Sequence, residues 1–295
     1  MTWTTADIGD QGGRTFLITG ANSGLGEQTA LALGAAGANV ILACRTVAKA
    51  EPVAARIGSN ATITELDLAD LSSVRACAER TGPIDVLINN AGVMAIPQGR
   101  TVDGFESQIG TNHFGHFALT GLLLPKIYDR VVTLSSAMHQ IGKINLEDPN
   151  YRQRSYSRWP AYGQSKLANL QFSYELARRL GAAGSPVKSM AAHPGYAATE
   201  LQSHTESLWD RLMGVGNLMA QSAADGALPS LYAATSDQAR SGGFYGPTKL
   251  GGMRGAPGPA SGNKRSRDEL VAAGLWELSE SLTGVTYPFD PAQSN

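Results

Sequence analysis

The glycine-rich stretch Thr19–Gly26 restricts the possible folds of this chain more than any other segment. It follows a short apolar run at 16–18 and opens a segment with helical spacing of apolar residues. Gly20 permits a tight turn that a side chain would strain. Gly24 lets the backbone approach a pyrophosphate closely, and Gly26 lets the helix pack tightly on its strand. A glycine-rich turn is often only a turn, but strand, turn and helix in this order predict a dinucleotide site. The predicted contacts are Gly20, Asn22, Ser23, Gly24, Leu25 and Gly26.

Short apolar segments and helical patterns alternate along the rest of the chain. The predicted strands are 15–19, 39–43, 61–65, 85–89, 130–135 and 187–193, and the predicted helices are 24–36, 47–57, 70–80, 103–127 and 161–180. This alternation predicts an α/β fold, a single Rossmann-type doubly wound parallel sheet with helices on both faces. Neither an internal repeat nor a linker divides the chain, so we expect one domain over 1–295.

The composition narrows the class of protein. With 295 residues and 42% apolar content the chain can bury a large core, and its net charge of −1 gives no field that would attract nucleic acid or an anionic membrane. The basic cluster at 264–267 is typical of a solvated loop. Two cysteines suit a reducing compartment. We expect a cytoplasmic protein without signal peptide or membrane anchor.

Arg45 follows the second predicted strand, nineteen residues after Gly26. An acidic residue at this place would bind the ribose hydroxyls of NAD, whereas an arginine suits the 2′-phosphate of NADP. We therefore expect NADP(H) in preference to NAD(H). A surface arginine that merely ends a strand is the alternative, because the turn at 21–23 carries no second cation.

Two further segments end predicted strands and belong at the carboxyl edge of the sheet, where such folds bind ligands. Asp67 and Leu68 would contact the adenine, or Asp67 would only cap the helix that begins near 71. Asn90, Ala91 and Gly92 would form the floor of the cofactor site, or a turn and nothing more.

Asn112 lies inside the helical pattern at 103–127, where asparagine is unfavourable and, if buried, needs partners. We expect its side chain to hold a water or a neighbouring backbone group. His113 and His116 could suggest a metal, but no nearby carboxylate or cysteine completes a ligand set. We expect no metal, with both histidines in the core or at its edge.

Tyr162 and Lys166 lie four residues apart at the start of the last helical pattern, so a helix projects both from one face. A free tyrosine has a pKa of about 10, and a nearby ammonium would lower it. Ser136, or the adjacent Ser135, would position a substrate oxygen. A Tyr-x-x-x-Lys pair alone is common, and its significance comes from the motifs that precede it.

The sixth predicted strand ends at Pro194 and Gly195, with Thr199 shortly after. Their backbone groups and the threonine hydroxyl would meet a nicotinamide carboxamide. A plain transition from strand to loop is the alternative.

In this order the motifs resemble the short-chain dehydrogenase/reductase family over about residues 14 to 250. Within that family the chain is most similar to the retinol dehydrogenase and protochlorophyllide reductase branch. The closer resemblance rests on the segments at 44–45, 112–117, 165–169 and 275–279.

The resemblance implies a role for each site residue. Tyr162 is the general acid in reduction and the base in oxidation. Lys166 lowers the pKa of Tyr162 and binds the nicotinamide ribose. Ser136 hydrogen-bonds the substrate oxygen, and Asn112 holds a water in the proton relay.

The chain also departs from the family pattern. It has an insertion near 142–159 and a C-terminal extension over 250–295, which begins with a Gly/Pro-rich loop at 251–262 that we expect to be mobile and ends in an amphipathic helix. Family members are commonly homodimers or homotetramers, and the insertion leaves a monomer open. The branch places a substrate lid near 200–225, where Trp and Met side chains suit a bulky apolar compound or a helix packed on the core.

Two classes of function follow from these residues. The first is an NADP(H)-dependent oxidoreductase that moves a hydride to or from a carbonyl or secondary alcohol of a lipophilic small molecule. The second is an NADP-binding redox sensor without turnover, which would need no proton relay. Within the enzyme class, reduction of a C=C bond uses comparable residues and stays open.

Overall fold

The computed structural model describes residues 2–195 and 221–289, and within them one sheet of eight strands in the order β3-β2-β1-β4-β5-β6-β7-β8. The strands are β1 Thr15–Thr19, β2 Asn39–Cys44, β3 Ala61–Glu65, β4 Ile84–Asn89, β5 Ile127–Leu134, β6 Lys188–Ala192, β7 Phe244–Lys249 and β8 Arg254–Pro259. The order reverses between β1 and β4, and β1 pairs in parallel with both β2 and β4. Ligands bind at the carboxyl ends of the strands at such a reversal.

Helices cover both faces of the sheet, as predicted. They are α1 Gly24–Ala35, α2 Glu51–Ile57, α3 Leu71–Arg80, α4 Ser107–Ile109, α5 Gly115–Leu123, α6 Arg158–Ala182, α7 Ala223–Thr235 and α8 Glu269–Thr283. Phe16 and Ile18 point into the core under α1 and α7, whereas Leu17 points into the core under α5, α6 and α8. Because both faces are buried, these strands read as continuous apolar runs.

The sheet is mixed and not wholly parallel, because its last strand runs the other way. β8 pairs antiparallel with β7, with Gly258 opposite Gly246 and Pro257 opposite Pro247. The loop predicted at 251–262 is therefore wrong over β8, which is half of its length. Proline and glycine argue against a central strand, but an edge strand tolerates both.

The helix predicted over 103–127 is divided into three parts. The short α4 continues into a π-helical turn, Gly110–Phe114, and then into α5. A π-turn places one extra residue in the helical ladder and is frequent at functional sites. It contains Asn112.

The insertion near 142–159 packs on the segment that precedes α5. The Tyr156 hydroxyl donates to the Ile96 carbonyl oxygen at 3.0 Å and accepts from Gln108 Nε2 at 2.8 Å. Asn150 Oδ1 accepts from the Glu106 backbone N–H at 2.8 Å. The insertion thus supports the segment that precedes the π-turn.

The C-terminal amphipathic helix is confirmed as α8, and it packs on the outer side of α5 and α6. Trp276 lies among Phe117, Phe172 and Tyr287, with ring centroids 5.1, 5.8 and 4.4 Å away. No helix in the described part of the chain is long and apolar enough to cross a membrane.

We expect Trp276→Ala to lower the free energy of unfolding by about 3–5 kcal/mol, because truncation leaves a cavity at an aromatic cluster. Trp276 is 1% exposed, whereas Leu270 on the same helix is 87% exposed. Leu270→Ala is therefore the control, with a change within about 0.5 kcal/mol. Urea unfolding of both variants measures the difference, and equal losses would contradict the assigned packing of α8.

Candidate active site

The carboxyl edge of the sheet brings the predicted motifs together. The glycine turn leaves β1, the Asn90 segment leaves β4, Ser136 follows β5, and Pro194 follows β6. Helix α6 contributes Tyr162 and Lys166 from its first turns.

The glycine turn has no room for side chains. Gly20 and Gly24 have φ of +66° and +56°, which favour glycine. A Cβ on Gly26 would lie 2.2 Å from the Gly20 carbonyl oxygen. Ser23 precedes α1 without a side-chain cap in the described structure, so the first N–H groups of the helix stay available. This cradle fits a pyrophosphate, which such N–H groups bind.

The segment after β4 is fixed from below by Thr19. The Thr19 hydroxyl oxygen accepts from the backbone N–H groups of Asn90 and Ala91, both at 2.9 Å. Asn90 Nδ2 donates to the Thr19 carbonyl oxygen at 2.7 Å. These bonds hold the segment beside the glycine turn.

Asn112 is fully buried and holds a neighbouring backbone segment, which confirms one of its two predicted uses. Its Oδ1 accepts from the Val93 N–H at 2.7 Å, and its Nδ2 donates to the Val93 carbonyl oxygen and to Ser165 Oγ, both at 2.9 Å. Gly92 lies against it: a Cβ there would be 2.9 Å from Asn112 Oδ1 and 3.4 Å from Lys166 Nζ.

Tyr162 is buried, and Ser136 lies beside its hydroxyl. Burial raises the pKa of Tyr162 to about 12, although the neighbouring Ser136 acts in the opposite direction. The neighbouring Ser135 hydroxyl donates instead to the Lys166 carbonyl oxygen at 2.8 Å. Of the two serines, Ser136 is therefore the one that meets the tyrosine.

Lys166 projects toward the same space, but the pKa of Tyr162 is raised by burial and not lowered as expected. Its Nζ donates to the Leu134 carbonyl oxygen at 3.2 Å and lies 5.8 Å from the Tyr162 ring centroid. Burial lowers the pKa of Lys166 to about 8. For both groups burial is the largest cause of the pKa shift, and it favours the uncharged form.

The residues predicted to contact the adenosine end are placed as follows. Arg45 is exposed directly after β2, and Leu68 is buried. Asp67 does not cap α3: its Oδ1 accepts from the Ala69 N–H at 2.9 Å, and the cap is Asp70, which accepts from Ser72. The capping alternative for Asp67 is therefore wrong.

The exit from β6 is shaped by polar contacts around Pro194 and Gly195. Gly195 has φ of +69°, and its N–H donates to His193 Nδ1 at 3.3 Å. Gln221 Nε2 donates to the Pro194 carbonyl oxygen at 2.5 Å. Thr199 and most of the predicted lid at 200–225 lie outside the described residues.

Sequence reasoning assigned no role to three residues that hold the site in shape. Thr19 supports the Asn90 segment, Gln221 supports Pro194, and His116 bonds with Thr19 Oγ1 at 2.8 Å. The only signal in the sequence is that His116 lies one helical turn after Asn112.

Comparison with known proteins agrees with this arrangement. A family model for short chain dehydrogenase matches residues 14–208. The chain belongs to this family. Human retinol dehydrogenase 13 is 41% identical, over 94% of this chain and 86% of the relative, and other retinol dehydrogenases match at similar identity. Within the family the chain is therefore of the retinol dehydrogenase branch.

Solved structures extend the comparison. An uncharacterized protein from Mycobacterium Paratuberculosis is 51% identical with a TM-score of 0.86, covering 98% of this chain and 100% of that one. An NAD(P)-dependent gluconate 5-dehydrogenase from Beutenbergia cavernae, with bound NADP, is 25% identical with a TM-score of 0.63, covering 80% and 96%. Short-chain dehydrogenases of this family are oxidoreductases that use NAD(P)(H).

We expect Gly26→Ala to weaken NADPH binding by about tenfold or more, because the new methyl group would displace the Gly20 carbonyl and distort the phosphate cradle. Gly181→Ala is the control, since a Cβ there meets nothing within 4 Å in α6. That control gains up to about 1 kcal/mol of stability and keeps its NADPH affinity. Fluorescence titration with NADPH measures the affinity of both variants. Unchanged affinity in Gly26→Ala would show that the cradle does not hold the cofactor.

Proposed function

We propose that this chain is an NADP(H)-dependent oxidoreductase that transfers a hydride to or from a carbonyl or secondary alcohol of a lipophilic small molecule. The observation that carries the proposal is the convergence of Ser136, Tyr162, Lys166 and Asn112 beside the glycine cradle. A sensor without turnover would have no need of this set.

Tyr162 is the group that exchanges a proton with the substrate oxygen. Since its pKa is raised to about 12, the phenol is protonated at neutral pH, which is the state required to reduce a carbonyl. Ser136, which lies beside the same hydroxyl, would position the substrate oxygen. The cofactor supplies the hydride from nicotinamide C4, and the protein supplies orientation and the proton.

Lys166 would hold the nicotinamide ribose and return a proton to Tyr162. An ammonium has three donors, and in the described structure one of them is committed, to the Leu134 carbonyl oxygen. Its pKa of about 8 is close to neutrality, so the group gains and loses a proton readily. Asn112 fixes the neighbouring Val93 segment and would hold the water of the relay.

The preference for NADP(H) rests on Arg45. Its guanidinium is exposed after β2 and forms no ion pair with the residues that the structure describes. A free guanidinium at this place suits a 2′-phosphate. The Beutenbergia cavernae dehydrogenase binds NADP, so a structure of this fold can accommodate the 2′-phosphate.

A lipophilic substrate is favoured by the retinol dehydrogenases among the relatives, since retinol is an apolar alcohol. Trp159, whose ring centroid lies 6.3 Å from that of Tyr162, adds an aromatic surface beside the proton donor. Two buried cysteines without a disulfide, Cys44 and Cys77, agree with a cytoplasmic location.

The proposal is tested by NADPH oxidation with a panel of aldehydes, ketones, quinones and enones. We expect Tyr162→Phe to reduce turnover by at least about a hundredfold, because the proton donor is lost, while NADPH binds as in the wild type. Tyr128→Phe, which alters a tyrosine that is 63% exposed, is the control with full activity.

If only enones are turned over, the reaction assigned to the enzyme changes from carbonyl reduction to C=C reduction. Tight NADPH binding without turnover of any compound would favour the sensor. Near-normal activity of Tyr162→Phe would overturn the assigned mechanism.

We expect Arg45→Asp to weaken NADPH binding by about tenfold and to strengthen NADH binding, because the carboxylate repels the 2′-phosphate and can accept from the ribose hydroxyls. Arg240→Asp makes the same charge change before β7, at the opposite edge of the sheet. Titration of both variants with both cofactors separates a local contact from the change in net charge. Parallel changes in the two variants would argue against an NADP contact at Arg45.

A further inference from the structure

His116 is a buried histidine on α5 to which the proposed reaction assigns no role. Both of its ring nitrogens have partners: Nδ1 is 3.0 Å from the Asn112 carbonyl oxygen and Nε2 is 2.8 Å from Thr19 Oγ1. The ring therefore lies between a residue of the proton relay and the residue that supports the cofactor floor.

These two contacts determine where the single proton of the neutral ring lies. Burial lowers the pKa of His116 to about 4, so the imidazole is neutral at pH 7. A carbonyl oxygen can only accept, so Nδ1 carries the hydrogen and Nε2 is the acceptor. The Thr19 hydroxyl must then donate to Nε2, which leaves its oxygen to accept from Asn90 and Ala91.

The result is one directed chain of hydrogen bonds. It runs from the N–H groups of Asn90 and Ala91 to Thr19, from Thr19 to His116, and from His116 to the Asn112 carbonyl. Such chains strengthen their members and fix their orientation.

The loop Asn90–Val93, whose first N–H groups Thr19 binds, is held a second time by Asn112 of the π-turn. The Asn112 side chain binds both backbone groups of Val93 at one end of the loop, and Thr19, which His116 contacts, binds Asn90 and Ala91 at the other end. Gly92, against which Lys166 Nζ lies, is between Ala91, which Thr19 binds, and Val93, which Asn112 binds. A shift of His116 would therefore move the cofactor floor and the relay residue together.

We propose that His116 is a positioning residue, which as the neutral Nδ1–H tautomer locks the carbonyl of Asn112 to the Asn90–Val93 loop. Its contribution to catalysis rests on the proposed function. It touches neither substrate nor cofactor, and acts through the groups that do.

The chain offers a matched control in His113, on the preceding turn. His113 is as deeply buried as His116, but its Nε2 bonds with Ser279 Oγ at 3.0 Å and its ring packs against Phe117 and Phe172. It faces α8 and not the loop. His113→Phe and His116→Phe thus make the same substitution at two equally buried positions whose rings have different partners.

We expect both variants to lower the melting temperature. Only His116→Phe should raise the Kd for NADPH and lower kcat, the latter by about tenfold to a hundredfold, because displacement of a relay group is costly. Loss of thermal stability alone in both variants, or equal changes of Kd and kcat in both, would overturn the proposal.

Two conservative variants separate the ends of the chain of bonds. His116→Asn can still donate to the Asn112 carbonyl but cannot reach Thr19, whereas His116→Gln can reach Thr19. We expect His116→Asn to restore kcat more than Kd, and His116→Gln to restore Kd more than kcat. Identical behaviour of the two variants would contradict coupling at both ends.

Hydrogen exchange without cofactor gives a readout that does not depend on the proposed function. We expect the amides of Asn90, Ala91 and Val93 to exchange faster in His116→Phe than in the wild type or in His113→Phe. Should the wild type bind neither NADPH nor NADH, the proposed function fails, and this exchange comparison decides the role of His116 alone. Unchanged exchange in His116→Phe would refute it.

Discussion

The contact between α1 and the end of β1 sets the geometry on which the site depends. Because Gly26 has no Cβ, α1 can pack directly against the Gly20 carbonyl group. This contact places the first N–H groups of α1 at the carboxyl edge of the sheet. The Asn90 segment fits against the same turn, since a Cβ on Gly20 would lie 3.0 Å from Ala91. Strands β1 and β4 are neighbours, so one close contact places both halves of the cofactor cradle.

A buried polar network continues this contact into the catalytic residues. Thr19 ends β1, Asn112 belongs to the π-turn, and Ser165 lies on α6 beside Lys166, yet bonds connect all three. Buried polar groups must be satisfied, so each of these bonds restricts the others. The tyrosine and the lysine are placed by this network as much as by the helix that carries them.

Six strands could be predicted from the sequence because buried parallel strands appear as apolar runs, and the errors at their ends are small. β8 could not be predicted, because Pro257 and Gly258 are residues that are rare in strands. They form a strand only through their pairing with β7. The π-turn depends on the bond between Asn112 and Val93, which the sequence does not show. The spacing of Tyr162 and Lys166 predicts that they share a helix face, but it does not predict their burial. Burial decides the direction in which the tyrosine pKa shifts.

The prolines of β8 also limit how this molecule can associate with copies of itself. Pro257 and Pro259 have no N–H to offer, so the β8 edge is a poor template for an incoming strand. At the opposite edge, β3 carries Ala61–Glu65 without a proline. A strand added from another molecule would therefore find more backbone N–H donors at β3, which lies at the other end of the sheet from β8.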